Sequence, residues 1–300
     1  VAARFEREHQ VLARMEHPHI AAVFDAGELP DGRTYFVMEM VSGAAVTHWC
    51  QKRKLPVRER LEIFVQACMA VQHAHQRGIL HRDLKPSNVM VVEVDGRPLV
   101  KVIDFGIAKA LEGDLAGRAD ATLVGMVLGT PRYMSPEQAC LSSLDVDIRT
   151  DVYALGVLLY ELLTGTTPIP AEAGNEPPLP ELLEQVRHNE TEMPSQRVLR
   201  LPKPLSSNAR ALSRELRGEL DWITLRALQK NRELRYPTVL NLAEDVQHYL
   251  RNEPVSAGPP GITYQLQKWL VRNRGAVSTA AAVAVSLAGG IAATWWALER

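Results

Sequence analysis

The stretch that decides the fold is His81-Arg82-Asp83-Leu84-Lys85-Pro86-Ser87-Asn88, followed by Lys101-Val102-Ile103-Asp104-Phe105-Gly106. A carboxylate, an ammonium and an amide stand at fixed short offsets, and a second acid lies between an apolar strand and a glycine. One pocket can gather a base and hard oxygen ligands from such a set. Phosphoryl transfer needs that equipment, because its catalysis is mostly positioning and charge neutralisation. A third segment, Gly129-Thr130-Pro131-Arg132-Tyr133-Met134-Ser135-Pro136-Glu137, follows downstream.

Working outward, the first two segments resemble the protein-kinase catalytic loop H-R-D-x-x-x-x-N and the metal-binding D-F-G turn, and the Gly129–Glu137 segment is a third match, downstream in the family's order. The chain resembles the eukaryotic-type (Hanks-type) Ser/Thr protein kinases, with motif wording similar to their bacterial membrane-anchored members. The resemblance covers roughly residues 1 to 252. It implies an α+β, bilobal fold, with a partial N-lobe sheet, helix C and hinge over 1–41 and a mainly helical C-lobe over 42–252. A juxtamembrane linker is expected over 253–275 and a transmembrane helix over 276–298.

The resemblance also implies roles. Asp83 would accept or orient the proton of a substrate hydroxyl, Lys85 would neutralise γ-phosphate oxygens, and Thr130 would bridge the two. Asn88 and Asp104 would hold magnesium (Mg2+) beside ATP. Met38 would be the gatekeeper, the Glu39 carbonyl and Val41 amide would hydrogen-bond adenine, and Met90 would form the floor beneath it. A core strand ending in a glycine turn is the plainer reading of Met38 to Gly43. Phe105, His81 and Leu12 match an internal spine, and Glu137 with Arg235 matches a buried ion pair. Lysine two residues after Asp83 is the Ser/Thr-kinase form, so protein Ser/Thr hydroxyls are the expected substrates.

Upstream, residues 2 to 15 carry Phe5, Val11, Leu12 and Met15 on one helical face. The resemblance places Glu8 where the family carries an ion-pairing glutamate; a solvated helix charge is the alternative. Its lysine partner and the Gly-rich loop would lie before Val1, and with no initiator Met the sequence reads as a fragment. Residues 20–25 and 34–41 are β-branched and aromatic runs flanking Asp31-Gly32, a hairpin signal.

Apolar residues recur at helical steps from Arg58 to Arg77, and Gly78 stops the helix. His73 and His75 lack metal-ligand spacing and read as packing and surface residues. Val89 to Val94 and Leu99 to Ile103 are short strands joined through Asp95-Gly96-Arg97-Pro98. Between Phe105 and Thr130 the only hydroxyl residue is Thr122, the expected autophosphorylation site, whose phosphate would pair with Arg82. Residues 151–163 are apolar nearly all round, as in a helix at a domain centre. Residues 166–209 read as proline-rich loops around a helix near 180–188, and amphipathic helices follow at 219–229 and 238–250.

Pro254 to Gly261, with three prolines and two glycines, reads as a linker. Tyr264 to Arg274 is basic and amphipathic, fitting a membrane-surface helix. Ala276 to Leu298 carries no charge and matches a ~30 Å hydrocarbon core, although a buried Ala-rich helix remains an alternative. Lys268, Arg272 and Arg274 would keep the kinase side cytoplasmic at the cell membrane, with a single pass. Gly289 and Gly290 hint at a homodimer.

Composition is consistent with this reading. The hydrophobic content of 46% is ample for a core, and the formal charge of −1 disfavours a nucleic-acid partner. Three cysteines without metal spacing fit a reduced, cytosolic domain. A pseudokinase scaffold that keeps the fold without catalysis stands as the alternative function. Small-molecule kinases of the same fold are a weaker third class.

Overall fold

The computed structural model describes residues 15–30, 34–105, 131–140, 146–170, 177–202, 205–206, 208–259 and 261, with isolated positions between 264 and 295. Residues 2–14 of the proposed helix, with Glu8 and Leu12, the segment 107–128 with Thr122, and Thr130 lie outside the described residues.

β1 (Val23–Glu28) and β2 (Thr34–Met38) pair antiparallel, as the hairpin reading expected, although the first strand begins three residues later than predicted. β3 (Ala44–Ala45), β4 (Val89–Val94) and β5 (Arg97–Val102) form a second antiparallel sheet in the order 3-4-5. The β4–β5 loop is tighter than predicted. Only Asp95 and Gly96 turn the chain, both at positive φ (51° and 73°), so Arg97 and Pro98 already belong to the strand. Positive φ at both central residues is the two-residue turn whose twist matches antiparallel strands. Ile20 bridges Val102 in parallel, so the 17–21 segment is stitched to the outer edge of β5.

Helices α1 (Val46–Lys52) and α2 (Val57–His75) precede the 81–88 loop. Beyond it come α3 (Pro136–Ala139), α4 (Ile148–Thr164), α5 (Leu179–His188), α6 (Pro194–Arg200), α7 (Ala209–Leu216), α8 (Glu219–Ala227) and α9 (Val239–Leu250). α4 is buried on nearly every face, as its uniform hydrophobicity required. A Cβ on its Gly156 would stand 2.8 Å from the Ala227 Cβ, so glycine is what lets α4 and α8 approach this closely. The main core joins Leu61, Phe64, Cys68 and Val71 of α2 to Leu155 and Leu158 of α4 and Leu242 and Val246 of α9.

Two expectations need correction. The loops expected over 166–209 contain α6 and the start of α7, whose short apolar faces become visible only against their tertiary partners. The stretch 254–258 is also docked, and not a free tether. Val255 is buried, the Ser256 and Ala257 amides donate to the buried Asp245 carboxylate at 2.6 and 2.9 Å, and the Tyr264 hydroxyl accepts from Val255 N. Tyr264 and Lys268 both donate to Glu219, and the Tyr264 ring meets Trp222 edge-on.

Most of the span expected at 276–298 lies outside the described residues. Among the described residues no helix is long and apolar enough to cross a membrane.

Candidate active site

The catalytic loop is built from α2 forward. Gly78, at φ 74°, breaks the helix and turns the chain toward residues 79–88. His81 is fully buried, which lowers its pKa and keeps the ring neutral. Its Nε2 stands 3.0 Å from the Ile103 carbonyl and must donate there, leaving Nδ1 to accept from Asp83 N at 3.4 Å. Its ring lies 4.7 Å from that of Phe105, as the spine reading expected for these two residues.

Asp151, in the first turn of α4, accepts from His81 N through Oδ2 (2.8 Å) and from Arg82 N through Oδ1 (2.9 Å). Burial alone would raise this carboxyl, but the hydrogen bond from His75 at 2.7 Å and the loop amides outweigh it and hold the pKa below its ordinary value. The helix cap proper is Asp147, which frees Asp151 for the loop. His75 corrects the sequence reading: its side chain is 3% exposed and is Asp151's partner, neither surface nor simple packing. Arg82 sits at φ 62° and Asp104 at φ 54°. Left-handed backbone at a non-glycine residue costs about 1–3 kcal/mol and tends to gather at working sites.

Within this frame Lys85 Nζ lies 2.8 Å from Asp83 Oδ2, and Asn88 Nδ2 donates to Asp83 O at 2.9 Å and to Oδ2 at 3.3 Å. The Asn88 amide thus faces its nitrogen toward Asp83, and its oxygen takes only a 3.4 Å contact from Ser87. Ile103 N donates to Asn88 O at 2.9 Å, so the residue before Asp104 is bonded to the same loop. The Asp104 carboxylate is exposed, with no hydrogen bond among the described residues. The structure therefore brings Asp83, Lys85, Asn88 and Asp104 to one end of the β4–β5 hairpin.

This donor set fits a hard divalent cation. An amide oxygen and a carboxylate with open coordination suit a small hard cation that completes its shell with phosphate and water. Among the described residues no group of three or more His, Cys, Asp or Glu is placed to hold a metal, and this ion does not require such a cage.

Met38 ends β2, opposite Val23. Glu39 N donates to Ala22 O at 2.8 Å, and the Glu39 side chain accepts from Ala22 N and from Lys101 Nζ at 2.9 Å. This ties the hinge strand to β5, a role the sequence reading did not assign to that side chain. The Glu39 carbonyl and the Val41 amide make no hydrogen bond among the described residues and stay available to a planar ring, while Val41 O is occupied by Gly43 N. Met90 lies on β4 opposite Ala45, half-buried.

Beyond the loop, Glu137 and Arg235 form a bidentate pair at 2.7 and 2.8 Å, as the resemblance implied. Burial pushes the Glu137 carboxyl up, but Arg235 outweighs it and the pKa falls below its ordinary value. Thr150 adds a hydroxyl donor at 2.8 Å. Tyr133 donates to Glu161 beneath the same segment.

Residues 2–221 match the protein kinase domain family. The chain is 37% identical over 258 residues to serine/threonine-protein kinase PknB of Mycobacterium leprae, covering 85% of this chain and 37% of that protein. It is 44% identical over 174 residues to serine/threonine-protein kinase pkn3 of Myxococcus xanthus, covering 57% of this chain and 31% of the other. It thus spans about a third of the length of these curated relatives. Among solved structures, the kinase domain of Mycobacterium tuberculosis PknI aligns with a TM-score of 0.55 at 29% identity, covering 82% of this chain and 78% of the other. The match over residues 2–221 and the geometry just described agree: the chain belongs to the protein kinase family, among the Hanks-type bacterial serine/threonine kinases.

Proposed function

We propose that this protein transfers the γ-phosphate of ATP to Ser or Thr hydroxyls of proteins. The observation that carries the reading is the junction of Asp83, Lys85 and Asn88 in one hydrogen-bonded group beside the open Asp104 carboxylate. Asp83 orients the acceptor hydroxyl and takes its proton, Lys85 offsets charge on the phosphoryl oxygens, and the Glu39 carbonyl and Val41 amide seat adenine between Met38 and Met90. Asn88 and Asp104 are the residues that would hold magnesium, which when bound neutralises the phosphate oxygens. Glu8 and Thr130 are proposed for the ion pair and the Asp83–Lys85 bridge on resemblance alone.

Thr122 is proposed as the autophosphorylation site. The Arg82 Nε is buried without a hydrogen bond, which suits a cation awaiting an anionic partner. Mass spectrometry of the active full-length protein should find phosphate on Thr122, and a fully active Thr122→Ala variant phosphorylated elsewhere in 107–128 would remove the idea.

Residues 1–41 are proposed as the N-lobe part and hinge, 42–252 as the C-lobe and 253–275 as the juxtamembrane segment. Residues 276–298 are the proposed single membrane pass, supported by their lack of charge and by the exposure of Leu287 and Trp295. Homodimerisation through Gly289 and Gly290 stays a proposal of the same kind. The deciding experiment is a radiolabelled-ATP transfer assay on the full-length protein: label on Ser or Thr, abolished by chelating divalent cations, is expected, and nucleotide binding with no transfer by the unaltered protein would overturn the reading.

A further inference from the structure

Around the catalytic aspartate nearly every backbone polar group has a partner already described. Asp151 holds the amides of His81 and Arg82, His81 Nδ1 faces the amide of Asp83, and Asn88 holds the carbonyl of Asp83. The carbonyl of Arg82 receives its hydrogen from elsewhere, from Gln138 Nε2 on α3 at 2.9 Å.

The same carboxamide has a second task. Its Oε1 accepts from Ser135 N at 3.0 Å, while Gln138 N donates back to Ser135 Oγ at 3.4 Å, a reciprocal cap at the start of α3. A capping box asks only for an acceptor at this position, so Glu and Gln serve it equally. An ionised glutamate cannot also donate to a carbonyl. The amide therefore spans two segments, the end of 129–137 and the loop that carries Asp83.

The peptide it grips is the one that leads into Asp83, and it follows a residue at φ 62°. Rotation of that peptide swings the Asp83 Cα and with it the carboxylate. Asp151 fixes the residue from its N–H side and Gln138 from its C=O side.

We propose that Gln138 is a positioning residue for phosphoryl transfer, aiming Asp83 by clamping the Arg82–Asp83 peptide to α3. The inference rests on the kinase reading above. Misplacement of a reacting group by a fraction of an ångström lowers turnover without weakening nucleotide binding.

The test compares Gln138→Met and Gln138→Glu with the unaltered full-length protein, reading phosphate transfer to itself and to an acceptor protein. Gln138→Met is expected to lower kcat about 10-fold while KM for ATP stays within about 2-fold. Gln138→Glu keeps the cap, so folding is not at stake, and only its protonated form can donate to Arg82 O. The ordinary glutamate range lies well below neutral pH and the Ser135 donors favour the ionised form, so at about pH 7.5 the variant cannot donate to Arg82 O and kcat should again fall about 10-fold.

Full kcat at about pH 7.5 in Gln138→Glu, or full kcat in Gln138→Met, overturns the inference. Loss of activity in both variants in step with thermal stability reduces Gln138 to a cap and also overturns it. With turnover present in the unaltered protein, these outcomes remove this inference alone; without it, the parent reading falls and takes this one along.

Discussion

Two acid–cation pairs in the C-lobe have nearly the same length and opposite purposes. Glu137 meets Arg235 at 2.7 Å with side chains 9% and 0% exposed, whereas Asp83 meets Lys85 at 2.8 Å with side chains 26% and 20% exposed. Distance does not separate them; solvent access does. Arg235 also donates to the carbonyls of Gln229, Lys230 and Arg149, so its charge is spent inside the fold. The Asp83–Lys85 pair instead keeps part of its surface in solvent, where an incoming hydroxyl can reach it. A sealed pair holds structure, and a half-open pair can change partners during a reaction.

The comparison breaks most readily at Asp83. Asp83→Asn should lower phosphate transfer by about 10²–10⁴-fold, the usual contribution of a positioned base, with an unchanged thermal unfolding midpoint. A large fall in that midpoint would place Asp83 with the structural pairs.

At the sealed pair the order reverses. Arg235→Met leaves Glu137 buried without its counter-ion and should cost about 3–5 kcal/mol in urea unfolding. Adding Glu137→Met should recover much of that loss, because replacing both partners removes the uncompensated charge. A double variant no more stable than the single one would mean that the pair contributes through geometry as well as charge compensation.

The smallest effect is in acid. Glu137 has a folded pKa below its unfolded value near 4.5, so its contribution is full above that pH and is lost as pH falls through the folded value. Between about pH 5 and pH 3 the unaltered protein should therefore lose more stability than the Glu137→Met, Arg235→Met double variant. Equal acid limbs in the two proteins would contradict the depressed pKa.

Much of the site was legible because its chemistry is local in the chain. Asp83, Lys85 and Asn88 lie within six residues, and the strand before Asp104 pairs with the one after Asn88, so spacing alone brings them near. α2, α4, α5, α8 and α9 were legible because an apolar stripe, or an apolar run, exceeds what short-range noise produces. His75, Gln138 and the Glu39 side chain were not legible as site residues. Their partners lie 76, 56 and 62 positions away, and a single polar side chain carries no periodicity. The docking of 254–258 was hidden for a different reason: its prolines and glycines read as a linker, and nothing in the spacing marks Asp245, 11 and 12 residues earlier and buried, as the acceptor that captures it.

The sequence by itself determined the family, the order of lobes and the four side chains at the centre, because these follow from short fixed spacings and from burial patterns that repeat along the chain. Tertiary structure alone decided which acid is sealed and which is open, which histidine supports Asp151, and which amide braces the peptide before Asp83. Those outcomes depend on solvent access and on hydrogen bonds between distant segments, quantities that exist only once the chain has closed on itself.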